Sequence, residues 1–102
     1  MKVVLCSVPL EAAETLASTL VLERLAACVN VHEGVTSVYR WQGRIERQRE
    51  AILVVKTSDS ALERLVARIT EMHPYSVPEI VALDVVRVNA KYLEWVDSET
   101  SA

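Results

Sequence analysis

Residues 26–57 read AACVNVHEGVTSVYRWQGRIERQREAILVVKT, and this stretch decides the fold. It holds two extended runs around one turn signal. Ala26 to Tyr39 reads as a long strand, with Gly34 at the point where a bulge or bend fits. Trp41-Gln42-Gly43 reads as a turn. Ile45 to Thr57 is the return strand. Its centre, Ile52-Leu53-Val54-Val55, is apolar on both faces, as a strand in the middle of a sheet requires. Two strands of this length predict a hairpin that projects beyond the rest of its sheet.

Working outward, Lys2 to Val8 is a first strand, ended by Pro9. A helix follows from about Leu10 to Leu25, because Ala13, Leu16, Ala17, Leu20 and Val21 recur at helical spacing. Leu22 lies outside that stripe, where it meets a neighbour if there is one. Beyond the hairpin, Ser60-Ala61-Leu62-Glu63 has the capping-box pattern. The second helix runs to about Met72, and Pro74 stops it, since the residue before a proline resists helical geometry. Ile80 to Val88 is the last strand. Tyr92, Leu93, Trp95 and Val96 predict a short C-terminal helix begun by Asn89.

The order is βαββαβ plus a terminal helix, in one domain spanning residues 1–102. Right-handed crossovers turn this into an α+β, ferredoxin-like antiparallel sheet with strand order fourth, first, third, second. Both helices fall on one face and the other face stays bare. A bare apolar face and an over-long hairpin both ask for partner chains, so an oligomer is expected.

Composition agrees. The 102 residues are 51% hydrophobic and 25% charged, with 2 Gly and 3 Pro, which excludes a disordered or collagen-like chain. Net charge is -3 and no basic block tracks a phosphate backbone. Arg40, Arg44, Arg47 and Arg49 form the longest cationic cluster, broken by Glu46 and Glu50. It reads as a solvated strand face, with a phosphate-bearing small molecule as the other reading, and no nucleic-acid partner is expected. Met1-Lys2 leads directly into the first apolar segment, so no signal peptide is expected, and that segment is too short to span a bilayer. The expected compartment is the reducing cytoplasm, with Cys6 and Cys28 as free thiols and no membrane partner.

Chemistry is expected where strand ends meet. With the first and third strands taken as parallel, Cys6, Cys28, Lys56 and His73 are expected at one sheet edge. Cys6 and His73 lie on neighbouring elements, and Cys28 lies across the third strand. Cys and His suit copper and zinc, although no CxxC or HExxH spacing is present. The other reading makes Cys6 and Cys28 small core residues and His73 a helix-end residue. His32, beside Glu33, reads as a surface histidine. Trp41 at the hairpin turn faces a partner or is buried in an oligomer. Glu50 and Lys56 share a strand face by parity and either bind a small polar ligand between chains or pair structurally. Ser7, Ser37 and Ser76 show no nucleophile pattern, and a Cys6–His73 dyad has no third orienting group, so no enzymatic activity is expected.

Five segments then carry a resemblance. Leu25-Ala26-Ala27-Cys28-Val29-Asn30, Ser37 to Gly43, Leu53-Val54-Val55-Lys56-Thr57, His73 to Ile80, and Tyr92-Leu93-Glu94-Trp95 occur in the order found in the CutA divalent-cation tolerance family. The chain resembles that family from about Val3 to Val96. The resemblance implies a homotrimer in which the long hairpin wraps the adjacent chain, an involvement in the response to metal ions, and copper as the bound ion. It implies Cys6 and His73 as metal ligands, with Met72 where some members carry a second histidine. It implies Trp41, Glu50, Lys56 and Tyr75 as lining of the cleft between subunits. The family also resembles the PII signalling proteins in architecture. The alternative reading is therefore a PII-like module that binds a small anion or a protein partner.

Overall fold

The computed structural model describes residues 1–101. Its elements are β1 (Lys2–Pro9), α1 (Leu10–Leu22), β2 (Cys28–Trp41), β3 (Arg44–Thr57), α2 (Leu62–Met72), β4 (Val81–Asp84) and α3 (Ala90–Glu99). The four strands form one sheet in the order β2-β3-β1-β4, as expected, and every neighbouring pair is antiparallel.

One expectation fails here, and it matters for the site. β1 and β3 are antiparallel, with Lys2 opposite Thr57 and Pro9 opposite Glu50. A right-handed βαβ crossover joins parallel strands, so β2 runs with β1. The hairpin then reverses the chain, and β3 must run against both. The start of β2 and the end of β3 therefore lie where β1 begins. Cys28 and Lys56 face each other there, at the end of the sheet away from the β1 terminus.

The core sits between the sheet and the helices. Val4, Cys6 and Val8 of β1 and Ala51, Leu53 and Val55 of β3 are buried on one face. Ala13, Leu16 and Leu20 of α1 and Leu65 and Ile69 of α2 cover them. Alternation sends Val3, Leu5, Ile52 and Val54 to the opposite face, where Val81 and Leu83 of β4 pair with Leu5 and Val3. No helix of the core cluster covers that face.

The hairpin is as long as its sequence says. β2 and β3 have 14 residues each, whereas β1 has 8 and β4 has 4. β1 stops pairing at Glu50, so Arg44 to Arg49 pair only with β2. At about 3.3 Å per residue, 14 residues account for the 45 Å long axis of the molecule. Gln42 and Gly43 both have positive φ, 51° and 79°, which is the two-residue turn whose twist matches a hairpin. Gly34, at φ 77°, lies within the register shift between His32 and Val35, as expected of a bulge.

Element ends differ from expectation for local reasons. α1 ends at Leu22, not Leu25, because Arg24 takes φ 60° and the N–H groups of Leu25 and Ala26 fold back to the Leu20 carbonyl. β4 ends at Asp84, not Val88, because its partner strand begins at Lys2, which sits opposite Asp84. The capping box does not form. The Ala61 N–H donates instead to the Ser58 hydroxyl at 3.3 Å. Asn89 starts α3, but through its carbonyl, which accepts from the Leu93 N–H at 3.1 Å.

Candidate functional site

α2 carries the chain from the Thr57 end of the sheet back to the end where β1 stops. It thereby delivers His73 to Ser7. Pro74 holds His73 extended, at ψ 131°. The His73 Nδ1 accepts the Tyr75 backbone N–H at 3.1 Å. The other ring nitrogen, Nε2, then carries the proton and donates to the Ser7 carbonyl at 2.8 Å. His73 is only 8% exposed.

Cys6 points to the helix-covered face and is fully buried, at 0% exposure. Its Sγ lies 3.9 Å from the same Ser7 carbonyl oxygen. The thiol and the imidazole thus meet at one backbone atom. Burial, followed by the charges of Glu79 and Glu50, pushes the Cys6 thiol up to about 12. The donor types suit Cu(I). As folded, however, the thiol keeps its proton and both ring nitrogens of His73 are engaged. Met72 packs against the core. Among the described residues no cluster of three or more His, Cys, Asp or Glu is placed to hold a metal ion.

The other face of the sheet holds a second constellation. Alternation along β3 puts Gln48 and Glu50 there, and Ser37, opposite Gln48, joins them from β2. Tyr75, on the segment after α2, reaches over this face. Tyr39 donates its hydroxyl to Gln48 Oε1 at 2.7 Å, Gln48 Nε2 donates to the Tyr75 hydroxyl at 2.8 Å, and Tyr75 donates to Glu50 Oε2 at 2.6 Å. The three donations run in one direction and end on Glu50, which is 4% exposed. Burial, then the bond to Glu50, raises the Tyr75 phenol well above its usual range. Glu79 accepts from the Ser7 hydroxyl at 2.6 Å.

These groups surround two adjoining hollows. One, of about 230 Å³, is lined by Tyr39, Trp41, Gln48, Tyr75, Ser76 and Val77. The other, of about 450 Å³, adds Ser7, Ser37, Glu50 and Glu79 to the shared aromatic wall. Trp41 is 44% exposed at its mouth.

Of the residues expected at the site, Trp41, Glu50 and Tyr75 come together in this cleft, and Cys6 and His73 lie behind its floor. Lys56 does not join them. It lies six residues from Glu50 along β3, about 20 Å, and donates to Asn30 at the far end of the sheet. Cys28 is there too, opposite Lys56. His32 is exposed on β2. Tyr39, Gln48 and Glu79 were not picked out from the sequence. The parity of Gln48 with Glu50 puts both on one face, but the bulge at Gly34 hides the face of Tyr39. Nothing local announces Glu79.

Fold and cleft together define a ferredoxin-like α+β protein with a ligand-sized hollow at one end of the sheet face opposite α1 and α2. Residues 2–99 match the family of the CutA1 divalent ion tolerance protein, and the chain belongs to that family. It is 50% identical over 100 residues to the divalent-cation tolerance protein CutA of Thermus thermophilus, covering 97% of both chains. The solved structure of a divalent cation tolerance protein from Thermus thermophilus superposes with a TM-score of 0.94, covering 99% of this chain and 100% of that one. A structure described as the PII-like protein CutA from Nostoc, in apo form, gives a TM-score of 0.96 at 39% identity, covering 99% and 98%. The chloroplastic CutA of Arabidopsis thaliana is 43% identical over 88% of this chain, which spans 50% of that relative. No helix among the described residues is long and apolar enough to cross a membrane.

Proposed function

We propose that the chain works as a homotrimeric, non-catalytic protein of divalent-cation tolerance in the cytoplasm, with copper as its ion and Cys6 and His73 as the pair that holds it. The observation that carries the metal reading is the meeting of a thiol and an imidazole at the Ser7 carbonyl, from residues far apart in sequence. Thiolate with imidazole favours Cu(I), and Met72 is the adjacent soft donor. The trimer reading draws on the half-buried apolar face of Val3, Leu5, Ile52 and Val54, away from α1 and α2, and on a hairpin that outruns its own sheet. The reading without catalysis rests on the lack of a nucleophile pattern in the sequence.

Competition against a Cu(I) chelator under reducing conditions tests the copper site. Cys6→Ser and His73→Ala each remove most of the affinity, and Cys28→Ser leaves it intact. Affinity rises with pH, because the thiol releases its proton on binding. Parent-like binding by Cys6→Ser removes Cys6 from the site.

A second reading has its own observation. The hollow at Tyr39, Trp41, Tyr75 and Glu50 has the size and the mix of aromatic wall and few polar groups typical of a small-molecule site. It favours an interaction module in the manner of the PII-like relative, with the ligand in a cleft between subunits.

A further inference from the structure

We infer that the cleft takes a small organic cation, an ammonium or guanidinium compound, seated on Glu50 against the aromatic wall. The inference rests on the cleft reading and is independent of copper.

Glu50 is the reason. Its side chain is all but sealed from solvent, at 4% exposure. One carboxylate oxygen, Oε2, accepts from Tyr75. The other, Oε1, has no hydrogen-bond partner among the described residues, and it is not one of the fully enclosed polar atoms. It therefore keeps some solvent access, and Glu50 lines the hollow. No ion pair to Glu50 forms among the described residues. A second carboxylate, Glu79, lines the same hollow and is likewise without a cation. No lysine or arginine lines either hollow. Along β3 the cations on this face are Arg44, opposite Trp41, and Lys56, opposite Cys28. Each is six residues from Glu50, about 20 Å of strand.

A buried carboxylate without a counter-charge is costly and is ordinarily matched by a cation and further hydrogen bonds. A free acceptor oxygen asks for an N–H donor. Ring faces at the mouth add attraction for a cation, strongest for tryptophan. Trp41, Tyr39 and Tyr75 supply those rings. An anion meets the opposite conditions in this chain's own lining, two carboxylates with no lysine or arginine. The organic cation is therefore the ligand class these groups favour, and phosphate tests the small-anion reading. A guanidinium or ammonium group satisfies the free oxygen, the charge and the aromatic wall together.

The test uses the full chain with Trp95→Phe, so that Trp41 is the sole tryptophan. Agmatine, which carries both a guanidinium and an ammonium, is titrated while Trp41 emission and heat are followed, with inorganic phosphate as the anionic control. Agmatine gives saturable binding and phosphate gives none. Glu50→Gln keeps the shape and an acceptor for Tyr75 but loses the charge. It weakens agmatine by about tenfold or more, the scale of one charge-assisted hydrogen bond. Binding of phosphate in place of agmatine overturns the inference. So does equal affinity in the Glu50→Gln variant. A partner chain's arginine occupying the cleft also overturns it, and it shows as agmatine binding that appears only after Arg40, Arg44, Arg47 and Arg49 are changed to Gln. Copper competition is run on the same samples, so failure here is separate from failure of the metal reading.

Discussion

Raising the pH from 8 to 10.5 tests the burial of Cys6 directly. In the unfolded chain the thiol ionises near its ordinary value of 9.0, and in the fold it is held up to about 12. Above pH 9 the unfolded state therefore loses a proton that the native state keeps. Stability supplied by the neutral thiol is complete below pH 9 and is lost as pH rises from there toward 12. At about 1.4 kcal/mol per pH unit, the ceiling is about 4 kcal/mol for the whole interval and about 2 kcal/mol at pH 10.5. Tyr75 is also raised and contributes in the same direction, so the parent alone cannot isolate Cys6. Cys6→Ala does. Its packing cost is the same at both pH values and cancels in the comparison. Urea midpoints are measured for both proteins at pH 8 and 10.5, at one protein concentration. The parent loses stability over this range by up to about 2 kcal/mol more than Cys6→Ala. Equal losses in the two proteins show that Cys6 ionises as freely in the fold as outside it. That result refutes the buried-thiol account and makes Cys6 a readier metal ligand than its surroundings suggest.

Tyr75→Phe removes the hub of the cleft network and leaves Glu50 and Gln48 each short of a partner; thermal or urea unfolding shows a loss of about 1–3 kcal/mol. Tyr39→Phe, which removes only the outer donor at an exposed position, costs less. Light scattering gives a trimer for the parent, and Trp41→Ala shifts the population toward smaller species at low concentration, a buried aromatic anchor being worth about 2 kcal/mol or more; unchanged mass and melting temperature make Trp41 a free surface residue.

Much of the fold was legible because its signals are local. The alternating runs on either side of Gln42-Gly43 locate the hairpin, Pro74 stops α2, and the α1 stripe names the residues of its buried face, Ala13, Leu16, Ala17 and Leu20, while its fifth member, Val21, stays exposed. The grouping of the candidate residues was half legible. Glu50, Trp41 and Tyr75 share one cleft and His73 lies behind its floor, but Cys28 and Lys56 lie at the other end of the chain's sheet. Strand direction was the missing quantity. Taking β1 and β3 as parallel carried Cys28 and Lys56 to the Cys6 end, whereas the antiparallel register sends them to the other end and brings in the Pro9–Glu50 pair. Within one chain Lys56 therefore cannot pair with Glu50, and this chain's own lining of the cleft is acidic. Gln48 and Glu79 escaped notice because each acquires meaning only from Tyr75 and Ser7, residues 27 and 72 positions away.

His73 belongs to both readings of the molecule, and this governs how the copper variants compare. Its Nδ1 holds the Tyr75 N–H and its Nε2 holds the Ser7 carbonyl. An imidazole binds a metal through a nitrogen lone pair. The lone pair at Nδ1 already receives an amide proton, and Nε2 carries its own proton. A metal at His73 therefore displaces one of these two bonds, and both tether the segment that presents Tyr75 to Glu50. His73→Ala removes a donor and a tether together. Cys6→Ser removes a donor and alters core packing but cuts no tether of the loop, since the sulfur's polar contact is weak, at 3.9 Å. The Cys6 variant is thus the cleaner reporter of metal binding. Copper affinity lost in both variants, with the Tyr75–Glu50 cleft intact in Cys6→Ser, assigns the metal to the thiol–imidazole pair. Copper affinity lost in His73→Ala alone traces to the loop.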